Sequence, residues 1–175
     1  MDFTAQLLEA FKKTGTEKVF DKGEFIIREG EVEKNLYFIE EGAVRVFYLT
    51  EFEEHVIRLG YKSSLINSLA SYIKGTPSEF YIEALRKTSV RILPKKNIVE
   101  LVESDPGLLK GYTQLLEHLI AQQIEREIDL LITVPAERLN RVLTRSPHLF
   151  QEIPLKYIAS YLRMTPETLS RLRKS

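Results

Sequence analysis

Across residues 19–93, apolar runs of four to six residues recur about every ten positions, each closed by a turn, several of them bearing glycine. Phe25-Ile-Ile-Arg28 follows Asp21-Lys-Gly-Glu24, Leu36-Tyr-Phe-Ile39 follows Glu29-Gly-Glu31, and Glu40-Glu-Gly42 precedes Val44. Val44, Val46 and Tyr48 alternate with Arg45, Phe47 and Leu49, the period of a strand. His55-Val-Ile-Arg-Leu59, Tyr81-Ile-Glu-Ala-Leu85 and Ser89-Val-Arg-Ile-Leu93 continue the series. Runs this short and this evenly punctuated predict an antiparallel barrel or sandwich. Residues 65–73 read as a short helix within it. Ahead of it, Phe3, Leu7, Leu8 and Phe11 mark one side of an amphipathic helix over residues 3–13.

The period then changes. Over residues 107–132, Leu109, Tyr112, Leu116 and Leu119 recur at spacings of three and four, and Ile120, Ile124, Ile128 and Leu131 form a second stripe. Two apolar stripes exceed the need of a lone surface helix, so one is expected on the β-structure and one on a symmetry mate. Gln122-Gln123 and Glu125-Arg-Glu127 interrupt the seam, so the dimer contact should be polar towards its C-terminal end. Residues 135–143 read as a linking helix, ended by Ser146-Pro147.

The last 23 residues carry a different pattern. Ile158, Ala159 and Leu162 give one apolar face, Arg163-Met164 a break, and Thr165-Pro166 a capped restart before Leu169 and Leu172. Ala159, six residues before Thr165, is small enough to let two helices cross closely. This is the spacing of a helix-turn-helix whose second helix enters the DNA major groove. That helix offers hydroxyls at Thr165, Thr168 and Ser170, an acceptor at Glu167, and cations at Arg171, Arg173 and Lys174. An arginine can fork onto guanine, and a glutamate can accept from cytosine N4. From residue 153 onward Lys156, Arg163, Arg171, Arg173 and Lys174 stand against Glu167 alone, a balance of +4 in a chain whose 25 basic and 25 acidic side chains cancel. Gathered positive charge beside a groove-sized helix suits a polyanion. The competing reading is a pair of surface helices with a solvated basic tail.

Other classes are excluded by composition and spacing. With no cysteine, there are no disulfides, thiolate metal sites or cysteine nucleophiles. His55, His118 and His148 lie in no metal-ligand spacing, and no glycine loop or nucleophile elbow is present, so neither a metal site nor an enzyme is expected. The acidic start lacks the apolar core of a signal peptide, and no apolar run approaches membrane-spanning length, so no membrane partner is expected. Given a bacterial source, the expected location is cytoplasmic.

Lys22-Gly-Glu-Phe-Ile-Ile-Arg-Glu-Gly30, followed by Leu36-Tyr-Phe-Ile-Glu-Glu-Gly-Ala-Val-Arg-Val46, resembles the cyclic-nucleotide-binding β-roll. Residues 14–175 as a whole resemble the bacterial regulators typified by the cyclic AMP receptor protein and the fumarate–nitrate regulator. The resemblance implies an α+β chain: a β-roll over residues 1–106, a dimerisation helix over 107–133 and a helix-turn-helix domain over 134–175. It implies double-stranded DNA and a second copy of the chain as partners, with RNA polymerase a further candidate. The implied dimer residues are Leu109, Tyr112, Leu116, Leu119 and Gln123.

In that family Gly-Glu and Arg-Ser hold the ribose and phosphate of the cyclic nucleotide. An ungapped count back from Tyr81 puts Asn67 and Ser68 at the first pair and Ser78 and Glu79 at the second. The cation for the phosphate is missing and a carboxylate stands beside its place. Arg86 and Arg91 do not occupy the matching site. The expected pocket is therefore degenerate, with neither cyclic AMP nor cyclic GMP as cofactor and any other effector unspecified.

In the helix-turn-helix, Glu167 and Arg171 match the family's base-reading pair, and Thr165 and Thr168 its phosphate-contacting hydroxyls. Ser170 and Lys174 complete the expected DNA-facing set. Arg163 stands where the turn often has glycine, and Pro166 where the cyclic AMP receptor has a base-contacting arginine. The sequence stops four residues past Arg171, before any β-hairpin wing, so contacts beyond the recognition helix are expected to be missing or to lie outside it. The expected function is a homodimeric, sequence-specific DNA-binding transcription regulator. A ligand-sensing or protein-interaction module without DNA binding is the alternative.

Overall fold

The computed structural model describes residues 3–174. Met1, Asp2 and Ser175, the outer ends of the two terminal domains as drawn from sequence, lie outside the described residues.

Among the described residues, eight strands form two antiparallel four-stranded sheets. They are β1 (Thr16–Phe20), β2 (Phe25–Ile27), β3 (Asn35–Glu41), β4 (Ala43–Leu49), β5 (Glu54–Tyr61), β6 (Leu65–Ile66), β7 (Tyr81–Ala84) and β8 (Thr88–Pro94). One sheet runs β1-β8-β3-β6 and the other β2-β7-β4-β5. Their facing side chains, among them Phe20, Tyr37, Ile39, Val44, Val46, Ile66, Ile82 and Val90, make a single buried core. The turn into β4 needs glycine: Gly42 has φ +99°, and a Cβ there would run into Thr88.

Two expectations are corrected within the roll. Residues 65–73 are not one helix: Leu65 and Ile66 pair with Phe38 and Tyr37, and α2 (Leu69–Lys74) begins only after Ser68. Ile66 is drawn into the sheet because its side chain completes the core between the two layers. Strand β4 does not alternate buried with exposed. Residues 43–47 are all buried, because its outer face is also covered, by the C-terminal helices.

α1 (Phe3–Thr14) turns Phe3, Leu7 and Phe11 inward. They join Leu93, Ile98 of α3 (Lys95–Glu103) and Leu108 of α4 (Pro106–Leu131) in a second core. Gly111 lets Phe3 sit directly on α4, since a Cβ there would overlap the Phe3 side chain. α4 starts at Asp105, whose carboxylate accepts from the Gly107 N–H at 2.7 Å, with Pro106 at the first helical position. Its 26 residues span about 39 Å. No helix among the described residues is long and apolar enough to cross a membrane.

The C-terminal part is α5 (Pro135–Arg145), α6 (Leu149–Glu152), α7 (Leu155–Tyr161) and α8 (Pro166–Leu172). Neither α3 nor α6 was expected from the sequence. Leu139, Val142, Leu149, Ile153, Ile158, Ala159, Leu162 and Leu169 bury one another and reach Ala43 and Leu85 of the roll.

Candidate nucleic-acid interface and effector site

The turn between α7 and α8 is built by backbone hydrogen bonds and held by two arginines. Met164 N–H donates to Ala159 O (3.0 Å) and Arg163 N–H to Ser160 O (3.1 Å), the paired bonds of a left-handed helix end. Arg163 takes the left-handed position, with φ +54°, at a cost of about 1–2 kcal/mol relative to glycine. Arg138, 8% exposed, donates to Leu162 O (2.5 Å) and Arg163 O (3.1 Å). Arg126 donates to Tyr161 O and lies 3.7 Å over the Tyr161 ring. Both arginines thus satisfy carbonyls that the end of α7 leaves open.

α8 begins at Thr165, whose hydroxyl oxygen accepts from the Thr168 N–H at 3.2 Å, with Pro166 next. The Thr165 hydroxyl also donates to Thr168 Oγ1 at 3.1 Å, so the two hydroxyls expected at phosphate serve the cap as well. Leu169 is fully buried and fixes the inner face. Glu167, Arg171 and Lys174 are exposed, while Thr168 and Ser170 are half-buried at its edges. Glu167 and Arg171, four residues apart, share a face. Arg173 is turned back, 4.3 Å over the Phe150 ring.

α7 is docked on the roll. Val56 N–H donates to Ser160 Oγ at 3.2 Å, Arg86 pairs with Glu152, and Arg163 Nη1 lies 2.6 Å from His55 Nδ1. Arg45 of β4 is 4.7 Å over the Tyr157 ring and pairs with Glu54 (2.5 Å) and Glu83 (2.6 Å). Asp129 of α4, with a fully buried side chain, holds Arg141 Nε at 3.0 Å and pairs with Arg145, tying α4 to α5.

The four cassette residues separate into two environments. Ser68 and Ser78 are buried with their hydroxyls 2.7 Å apart, and Ser78 Oγ also donates to Phe80 O and accepts from Phe80 N–H. Asn67 is buried beside them, whereas Glu79 is exposed. The sequence reading missed Glu33. Only 2% exposed, its carboxylate accepts from Asn35 N–H (3.0 Å), the Tyr37 hydroxyl (3.1 Å) and Ser68 N–H (3.4 Å). Burial raises its pKa above the ordinary carboxylate value, against the lowering by these hydrogen bonds. An internal carboxylate thus already accepts from the N–H at the start of α2. Arg86 is engaged with Glu152 and Gly42 O, and Arg91 with Glu40 and Glu17, so neither serves the cassette.

On α4, Tyr112 is taken up within the chain, edge-on to Phe3 at 5.7 Å. Leu116 and Leu119 are half-buried and, with the exposed Gln123, line a cleft against the roll, while Leu109 (54% exposed) faces solvent. The second stripe is the more open one: Ile120 is 61%, Ile124 52% and Leu131 79% exposed. His55, His118 and His148 have separate hydrogen-bond partners, Arg163, Gln122 and Gln151 respectively.

A two-sheet roll, a long helix and a C-terminal helix-turn-helix define the class of architecture to which the chain belongs. The chain belongs to the cyclic nucleotide-binding domain family, whose model matches residues 17–105. It is 26% identical over 166 residues to the transcriptional activator protein anr of Pseudomonas aeruginosa, covering 86% of this chain. The match spans 66% of that relative, just under two thirds of its length. The fold is similar to that of FixK2 from Bradyrhizobium japonicum, with TM-score 0.77, 20% identity, and coverage of 92% of this chain and 83% of that one. A CooA mutant from Carboxydothermus hydrogenoformans is also similar, with TM-score 0.74, 16% identity, and coverage of 99% and 83%. The family resemblance and the α+β roll-plus-helices architecture read from the sequence both hold.

Proposed function

We propose that the chain is a sequence-specific DNA-binding transcription regulator that acts as a homodimer, and that its roll no longer takes a cyclic nucleotide. The observation that carries the reading is the outer face of α8. Glu167, Arg171 and Lys174 are exposed on a helix whose inner face is locked by Leu169 and whose start is capped by Thr165. A rigid, exposed helix with an acceptor and a cation one turn apart suits base edges in the major groove. The likeness to a transcriptional activator supports it. Thr165, Thr168 and Ser170, at the edges of that face, are assigned to the sugar–phosphate backbone. In the roll, the Glu33 carboxylate and the closed Ser68–Ser78 pair support loss of the phosphate site.

In a dimer the two α8 helices enter successive major grooves about 34 Å apart. Arg171→Ala is expected to cost about 1–3 kcal/mol on the preferred site and to relax preference at one base pair per half-site. Lys174→Ala should weaken all sequences alike and reduce the salt slope by about one. Fluorescence titration of a selected operator and a scrambled duplex at several salt concentrations checks both. Equal affinity for the two duplexes, unchanged by Arg171→Ala, gives the interaction-module reading first place.

A further inference from the structure

The helix-turn-helix unit is seated on the roll, where Ile153, Ile158 and Leu162 join Ala43 and Leu85 in one buried cluster. Two polar contacts cross to it from neighbouring residues of β5. Val56 N–H donates to Ser160 Oγ, and His55 meets Arg163. The second contact fixes the protonation of His55. A guanidinium donates and never accepts, so at 2.6 Å the His55 Nδ1 atom offers its lone pair to Arg163 Nη1. The ring proton is then on Nε2, 3.8 Å from Glu53 Oε2. An imidazolium carries N–H on both nitrogens, so a proton arriving at Nδ1 takes the lone pair that Arg163 uses. The contact and the charged ring exclude each other. The His55 side chain is 23% exposed and Arg163 is exposed, so water reaches the pair.

The charges around the pair add to this effect. Arg163 stands at the turn with Arg126 and Arg138, both of which donate to carbonyls there. Burial is the main reason that the Arg126 pKa lies below the ordinary arginine value, and Arg163 and Arg138 lower it further. Arg58 of β5 and Glu127 of α4 line the same cleft as Arg126 and Arg163. On β4 the residue opposite His55 is Tyr48. The acids on this side are Glu53 and Glu127, both exposed to solvent screening. Asp129, which also acts on Arg126, is shared with Arg141 and Arg145. A charge gained by His55 therefore joins a weakly countered positive cluster and faces Arg163 directly.

We propose that His55 and Arg163 form a proton-sensitive junction: with a neutral imidazole the helix-turn-helix is held to its own roll, and protonation of His55 loosens it. A histidine ring changes charge between about pH 5 and about pH 8, so mild acidification is enough. The apolar cluster beneath still holds the unit, so the junction yields by degrees and does not fall apart. In a dimer, loosened units no longer keep the two α8 helices in a fixed relation, and operator affinity falls in acid. That last step rests on the DNA-reading proposal; the junction does not.

The Val56 amide reports on the junction without DNA, because its N–H bonds to Ser160 across it. Its hydrogen-exchange protection, measured by NMR on the full chain and corrected for the intrinsic exchange rate at each pH, follows closure. That protection is expected to fall about fivefold between about pH 7.5 and about pH 5.5, with no change at Ile82, fully buried in the same sheet. His55→Gln keeps an acceptor for Arg163 and cannot take the charge. Arg163→Gly removes the cation and suits the left-handed turn. In either variant the Val56 protection should stay level with pH, and His55→Lys should lower it at both pH values. Protection that is level in the natural chain, or that still falls in acid in His55→Gln or in Arg163→Gly, overturns the proposal. A duplex titration that shows no sequence preference, with the Val56 protection as expected, sinks the DNA-reading proposal and leaves the junction standing.

Discussion

Glu33 decides the character of the cassette more than the residues aligned with it do. Three donors converge on its carboxylate, from Asn35, Tyr37 and Ser68, in a place where it is almost fully buried. An entering phosphate would compete with the Glu33 carboxyl group for the Ser68 N–H, and Arg86 and Arg91 are engaged elsewhere. Cyclic AMP and cyclic GMP are therefore expected to bind at best at millimolar concentration, and micromolar affinity for either by calorimetry refutes this. The raised pKa of Glu33 has a second consequence. A carboxyl that holds its proton more tightly folded than unfolded stabilises the fold fully below its ordinary value of 4.5, and that stabilisation is lost as pH rises through the raised value. Glu33→Gln should therefore gain stability relative to the natural protein as pH rises above the ordinary value of 4.5. Urea unfolding midpoints of both proteins across that range check it; a gap that stays constant with pH means Glu33 does not titrate in the fold.

At the scale of elements, the helix-turn-helix depends on how closely α7 and α8 approach. Ala159 is fully buried at their crossing, beside Ile158, Leu162 and Leu169. Ala159→Leu adds volume with nowhere to go and is expected to cost about 1–3 kcal/mol. It should also lower DNA affinity, because α8 would be pushed out of line; urea unfolding and the duplex titration measure the two effects. This crossing was legible in the sequence: the apolar spacing, the small residue, the threonine cap and the proline are all local signals. So were most of the strands, because their turns are punctuated locally. Leu65 and Ile66 were misread because a short apolar run looks alike in a strand and a buried helix, and only pairing with Tyr37 and Phe38 decides. α3 and α6 were missed because they are short, with nine and four residues, and neither has a side-chain cap. Glu33 and Arg126 could not be found from periodicity at all. Glu33 belongs to no motif and Arg126 reads as a break in a seam, and a partner of each lies 35 residues away, at Ser68 and Tyr161.

At the scale of the molecule, α4 is committed on one side and open on the other. Leu108, Tyr112 and Leu115 meet the core shared with α1, Arg126 reaches the end of α7, and Asp129 holds α5. Ile120, Ile124, Ile128 and Leu131 remain exposed at 61%, 52%, 39% and 79%. A stripe of this length on a helix of about 39 Å suits a second copy packed through the same face, which would set the two α8 helices in a fixed relation. The chain is therefore expected to be a dimer at micromolar concentration. Ile124→Glu is the sharper probe of it than Leu116→Glu, because Leu116 is half-buried whereas Ile124, which lines the same cleft, is 52% exposed. A carboxylate at position 124 is half in water in the single chain but desolvated in the seam, where an unpaired charge costs several kcal/mol. Light scattering should give the mass of two chains for the natural protein and of one for Ile124→Glu, with unchanged thermal melting of the monomer fold. The variant should also bind a half-site duplex better than a full palindrome of equal length would predict for a dimer. A natural protein that scatters as one chain at micromolar concentration removes the symmetric arrangement and, with it, the paired-groove mode of reading DNA.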